Sequence, residues 1–150
     1  MRSWPKILIF CGVILFMAFS CEKEEILPEG EAKGKIIETF GQCYGYWVMI
    51  EVEEPKGIGT SGTFAFPGVE ESRINYKNAI GVPYFSRIPH LSTDAPDTVG
   101  TWLHFEYREL TNEERNSQIF VDTSYHYICH ANIAPPGVPK YMITKVLDCH

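Results

Sequence analysis

Cysteines, histidines and a dense set of aromatic rings carry most of the chemistry open to this 150-residue chain. His126, Cys129, His130, Cys149 and His150 crowd the C-terminal third and include donor types that a transition metal takes. On a strand His126 and His130 share a face while Cys129 points the other way. Four strand residues span roughly 13 Å, too far for one ion. Exposed histidines and a disulfide explain the pattern, and neither a metal nor a cofactor is expected. Gly57-Ile58-Gly59-Thr60-Ser61-Gly62 matches G-x-G-x-x-G. A dinucleotide site, however, needs a helix opening there, with its N-terminus on the pyrophosphate. The residues that follow, Thr63 to Gly68, read as strand and then turn, so a flexible hairpin loop is expected. The same stretch falls short of a G-x-S-x-G nucleophile elbow, because Thr63 replaces the last glycine. A hydrolase would have to use His90, Asp94 or Asp97, brought within hydrogen-bond reach of one another in a cleft.

Aromatic residues occur at Tyr44, Tyr46, Trp47, Tyr84, Phe85, Trp102, Tyr125, Tyr127 and Tyr141. Some must fill the core. A clustered exposed subset, Tyr44, Tyr46, Tyr84, Phe85 and Trp102, forms a candidate surface for a glycan, peptide or protein ligand. Such rings give contact area at low entropic cost. Asp97-Thr98-Val99 resembles the three-residue O-glycosylation signal of exported Bacteroidetes proteins, which makes Thr98 a candidate modification site.

The N-terminus carries an address. Arg2 and Lys6 precede a 13-residue uncharged run, Ile7 to Phe19. At ~1.5 Å per residue the run reaches roughly 20 Å, short of a hydrocarbon core of about 30 Å, and it suits a secretory signal. Ala18-Phe19-Ser20-Cys21 resembles a bacterial lipobox, in which the cysteine is acylated and becomes the mature N-terminus. Lys23-Glu24-Glu25 resembles the acidic export signal of surface-exposed Bacteroidetes lipoproteins. The expected layout is a signal peptide over 1–20, acylated Cys21 and a mobile acidic tether over 21–33, and one domain over 34–150. The expected location is the bacterial outer membrane, with Cys21 held in the bilayer and the domain exposed at the surface.

Without the leader, 11 basic and 19 acidic side chains remain, a net charge of −8 (13 − 2 basic against 19 acidic). Such a surface repels phosphate backbones, so nucleic acid is not an expected partner. Export brings the domain into an oxidising compartment, where Cys43, Cys129 and Cys149 predict one disulfide and one remaining thiol. If 119–130 and 141–149 form a hairpin, Cys129 and Cys149 lie seven residues out of register, roughly 23 Å apart. A disulfide needs Cα atoms about 4.4–6.8 Å apart. Cys43 is therefore one expected partner, with Cys129 preferred as the other.

The elements that must position these groups read as strands. They are expected over 35–40, 43–53, 60–66, 99–110, 119–130 and 141–149, with one more near 80–85. Val48, Ile50 and Val52 alternate with Met49, Glu51 and Glu53. Leu103, Phe105 and Tyr107 alternate with His104, Glu106 and Arg108. Thr111-Asn112-Glu113-Glu114 has capping-box spacing, predicting a turn or two of helix over 112–118. The segment 69–98 reads as a long irregular connection. Five or six antiparallel strands hide their edges best in a barrel, so the expected fold is all-β, a small closed or partly open OB-like barrel.

Gly34-Lys35-Ile36-Ile37, Cys43 to Ile50, the strand with Tyr107, Cys129, and Tyr141 to Leu147 resemble the NigD-like small lipoproteins of Bacteroidetes. Those proteins typically read Cys-Gly where this chain inserts Tyr44 before Gly45, and the 69–98 insertion also departs from their pattern. The resemblance implies an OB-like barrel and brings no established activity. The leading expectation is a non-catalytic binding or accessory module on a lipid anchor. A hydrolase built on the 69–98 loop and a structural or immunity-type envelope component stand as alternatives.

Overall fold

The computed structural model describes residues 26–41, 45–66, 73–88, 90–91, 95–117 and 136–150. They form six strands: β1 (Glu31–Phe40), β2 (Trp47–Glu54), β3 (Thr60–Ala65), β4 (Arg73–Pro83), β5 (Trp102–Glu109) and β6 (Tyr141–Cys149). A 3-10 turn (Phe85–Arg87) follows β4, and a single helical turn, α1 (Asn112–Arg115), follows β5. All six strands belong to one sheet in the order β3-β4-β2-β1-β5-β6, with antiparallel neighbours throughout. The sheet bends back on itself at one place. Gly81 of β4 makes a parallel bridge to Lys140, just ahead of β6, and its N–H donates to the Pro139 carbonyl at 2.8 Å. The result is a small all-β, partly open barrel.

β1 is the spine, pairing with β2 along one edge and β5 along the other. It begins at Glu31, and Ala32 is fully buried, so the domain takes in residues that composition had assigned to the tether. The expected alternation holds in β5, where Leu103 and Phe105 are buried while Trp102 and His104 are half-exposed. In β2 it holds only at one end. Trp47, Val48, Met49 and Ile50 are all fully buried, so both faces of this half-strand are covered. Phe40 stacks on Trp47 with ring centroids 4.2 Å apart, and Phe64 meets the edge of Phe40 at 5.5 Å. Burying side chains of this size contributes about 1.5–3 kcal/mol each. Gly81 lies against the same indole. A Cβ there would approach Trp47 to 2.9 Å, so only a residue without a side chain fits.

The segment 69–98 is not an irregular connection with one short strand. It contains β4, eleven residues long. Arg73, Asn75 and Lys77 have one environment and Ile74 and Tyr76 another, but Asn78 at φ 45° then breaks the alternation. Ala79 to Pro83 are all buried, so no period of two survives there to be read. At the other end of the chain the capping box forms as its spacing predicts. Thr111 Oγ1 accepts from the Glu114 N–H at 3.2 Å, and the Thr111 N–H donates to Glu114 Oε2 at 2.9 Å. The helix stops at Arg115, shorter than 112–118. Arg108 clamps the same carboxylate with two 2.7 Å bonds, which together with the Thr111 contacts hold Glu114 down at about 2. The strand expected over 119–130 lies outside the described residues.

Candidate functional site

Trp102 is one of the rings that the fold leaves partly exposed. Leu103 and Phe105 fix which face of β5 is core, and alternation sends Trp102 and His104 to the other side. Strand pairing then decides its neighbours. Lys35 of β1 stands beside Trp102 on one side and beside Glu51 of β2 on the other, so Glu51, Lys35 and Trp102 make one row across the sheet. The Lys35 ammonium lies 6.0 Å from the indole centroid. The next row is Lys33, His104 and Asp148. Beyond Trp102 the row ends at His150, whose backbone N–H and C=O both bond to Trp102, at 3.1 and 2.8 Å.

Two hollows flank the indole. The larger, about 380 Å³, is walled by Lys33, Glu53, Leu103, His104, Asp148 and His150 together with Trp102. The smaller, about 180 Å³, is walled by Lys35, Glu51, Val52, Glu53 and Lys77 together with Trp102. Trp102 and Glu53 line both, so the hollows form one trough with the ring rising between them. Several of these groups are held in place. His104 Nε2 and Glu31 Oε2 are 2.9 Å apart, and Glu51 Oε2 accepts from the Lys77 N–H at 2.8 Å. His150 Nδ1 lies 3.9 Å from Asp148 Oδ2. Cationic and anionic groups thus alternate around one flat apolar ring, an arrangement suited to holding a polar ligand by many hydrogen bonds.

The five aromatics do not form the single surface expected of them. Phe85 is 1 % exposed: the 3-10 turn after β4 carries it into the core, and it drops out of the candidate surface. Tyr46 and Tyr84 do meet, with ring centroids 5.9 Å apart. The guanidinium of Arg87, however, sits 4.0 Å over the Tyr46 ring and takes the face a ligand would use. Burial raises the Tyr84 phenol above the ordinary tyrosine range against an opposing hydrogen bond from Thr39, and nearby Asp97, Glu38 and Tyr46 push it the same way as burial. This cluster is packed on itself. It also lies apart from Trp102. Lys35, the partner of Trp102, is four positions along β1 from Thr39, roughly 13 Å. Tyr44 lies outside the described residues.

Other sequence-derived candidates fall as follows. The amides of Gly57 and Gly59, which a phosphate cradle would need, donate instead to Asn78 Oδ1 at 3.1 and 2.8 Å. Asn78 Nδ2 donates in turn to the Val52 and Pro55 carbonyls at 2.8 and 3.0 Å. The loop expected to be flexible is therefore pinned to β4 through three hydrogen bonds to the Asn78 side chain, which bonds β2 through a fourth. His90 is exposed and Asp97 neighbours Tyr84; among the described residues no hydrogen bond or ion pair joins the two, and Asp94 lies outside them. Thr98 is exposed in a turn closed by the Thr101 N–H donating to its carbonyl at 3.1 Å. Among the described residues no three His, Cys, Asp or Glu side chains converge as metal ligands. Cys149 stands half-buried on β6, in register with Leu103. Cys21, Cys43 and Cys129 lie outside the described residues, as do His126 and His130.

Sequence reasoning placed Trp102 among the ligand-binding candidates and missed its surroundings. Lys33 and Lys35 were visible only as charged residues at alternate positions of one strand, and Asp148 as one in another. Their meeting depends on which strands pair. No protein-family model matches the chain, and no curated protein matches it either.

Proposed function

We propose that this protein is a lipid-anchored, non-catalytic binding module of the bacterial cell envelope, exposed at the surface, and that its ligand lies in the trough around Trp102. The anchor half rests on the lipobox-like Ala18-Phe19-Ser20-Cys21 and the acidic residues after it. The binding half rests on one observation: a partly exposed indole between two hollows whose walls mix charged side chains with Leu103 and Val52. Ligand sites are concave, with a few polar groups converging on an apolar surface, and the trough has those elements. A partly open barrel on an acylated cysteine also fits the resemblance to NigD-like lipoproteins.

Each half has its own test. Cells fed labelled palmitate should label the wild-type protein and not Cys21→Ser; equal labelling of both ends the anchor half. Oligosaccharides and peptides should be screened by the NMR shift of the Trp102 indole N–H. At least one ligand class should move that resonance, and a resonance untouched by every ligand that binds ends the binding half.

A further inference from the structure

Resting on that reading, we infer that the occupant of the Trp102 trough is an uncharged oligosaccharide chain, laid across the strands with one sugar ring over the indole and others in the two flanking hollows. Lys33, Lys35 and Lys77 face Glu51, Glu53 and Asp148, so the trough holds equal numbers of lysines and carboxylates with His104 and His150 at its rim. A phosphate or a strongly acidic peptide would meet three carboxylates, and a basic one three ammonium groups. Neither sign is favoured.

Hydroxyl groups match this lining. Each can donate to a carboxylate and accept from an ammonium group at the same time, so a polyhydroxylated ligand finds a partner of the right kind in either direction. Hydrogen bonds to charged groups are stronger than those between neutral groups. The indole supplies what the lysines and carboxylates lack, a flat apolar face for the C–H side of a sugar ring. The Trp102 backbone is bonded on one side to His150 and on the other lies paired to Lys35, so little backbone ordering remains to be done on binding.

The shape argues for a chain over a single sugar. Two hollows of about 380 and 180 Å³ share Trp102 and Glu53 as a common wall, so a ligand filling one lies against the other. An uncharged peptide is the competing occupant. It would prefer a free strand edge, where its backbone can extend the sheet. Trp102 and Lys35 instead lie on the face of paired strands, with β5 bonded to β1 and β6.

The test is calorimetric titration of the full chain in detergent micelles with six-unit oligomers of glucose, xylose, mannose and N-acetylglucosamine, and in parallel with uncharged hexapeptides. At least one oligosaccharide should bind, and its two-unit fragment should bind more weakly because it fills one hollow. Trp102→Ala should weaken binding about tenfold, the loss of one good aromatic contact, with Trp102→Phe recovering part of it. Glu53→Gln, lining both hollows, should weaken the six-unit ligand more than the two-unit fragment. Oligosaccharide binding that is unchanged in Trp102→Ala overturns the placement. If no oligosaccharide binds at about 10 mM but a peptide does and moves Trp102, the inference falls and the binding-module reading stands. If neither ligand class binds, both fall.

Discussion

Trp47 and Trp102 lie in the same sheet, yet their surroundings are opposite. Trp47 is paired with Phe40 on one side and Pro83 on the other, and it is fully buried. Trp102 is paired with Lys35, with Glu51 beyond it, and its ring stands between two open hollows. The residue type is the same in both places. What differs is the row each ring joins: an apolar row turns it into core, while a charged row leaves it as a surface.

The sharpest way to break this contrast is to remove each ring. Trp47→Ala should cost about 3–5 kcal/mol, the range for truncating a large buried aromatic, measured by urea unfolding. Trp102→Ala should cost no more than about 1 kcal/mol, because the ring is only partly buried. Equal losses would mean that Trp102 is structural and the trough incidental. Asn78→Ala should come next, at about 2–3 kcal/mol, because it strips four hydrogen bonds and forces a side chain without local partners to hold a positive φ. Asn78→Gly should recover part of that loss by tolerating the backbone angle. Gly81→Ala should cost about 1–3 kcal/mol by pressing a methyl into the Trp47 ring. If it is neutral, the Trp47 end is looser than its burial implies.

The smallest expected effect concerns Glu114. Its folded value, about 2, lies below the ordinary 4.5, so it contributes stability that is complete above about pH 4.5 and is lost as pH falls towards 2. The Arg108 partner is half exposed, so the contribution should not exceed about 1 kcal/mol. Glu114→Gln should flatten the acid limb of stability against pH by that amount and leave ligand binding at Trp102 unchanged.

Much of the fold was legible because some strands keep one face wet. β5 shows its alternation in sequence, and the Thr111 capping box needs only local spacing. β4 was hidden for a physical reason: residues 79–83 are buried on both faces, and Asn78 shifts the phase in the middle of the strand. The candidate site was legible as a residue and illegible as a place. Trp102 could be named from its type, but Lys35 and Glu51 reach it only through the β1–β5 and β1–β2 pairings, which no local pattern encodes. Phe85 misled for the complementary reason, since a 3-10 turn of three residues decides its direction.

The early start of β1 sets a leash. If acyl chains hold residue 21 in the bilayer, the ten residues from 21 to 31 can span at most about 35 Å. Lys33, in the wall of the larger hollow, lies two residues further on. On the proposed anchoring, the trough would therefore lie at the moored end of the domain, within reach of that leash from the lipid headgroups. On the same proposal, a polymer reaching it would have to approach the membrane to within that leash, which would favour strands rooted in or threaded through the envelope.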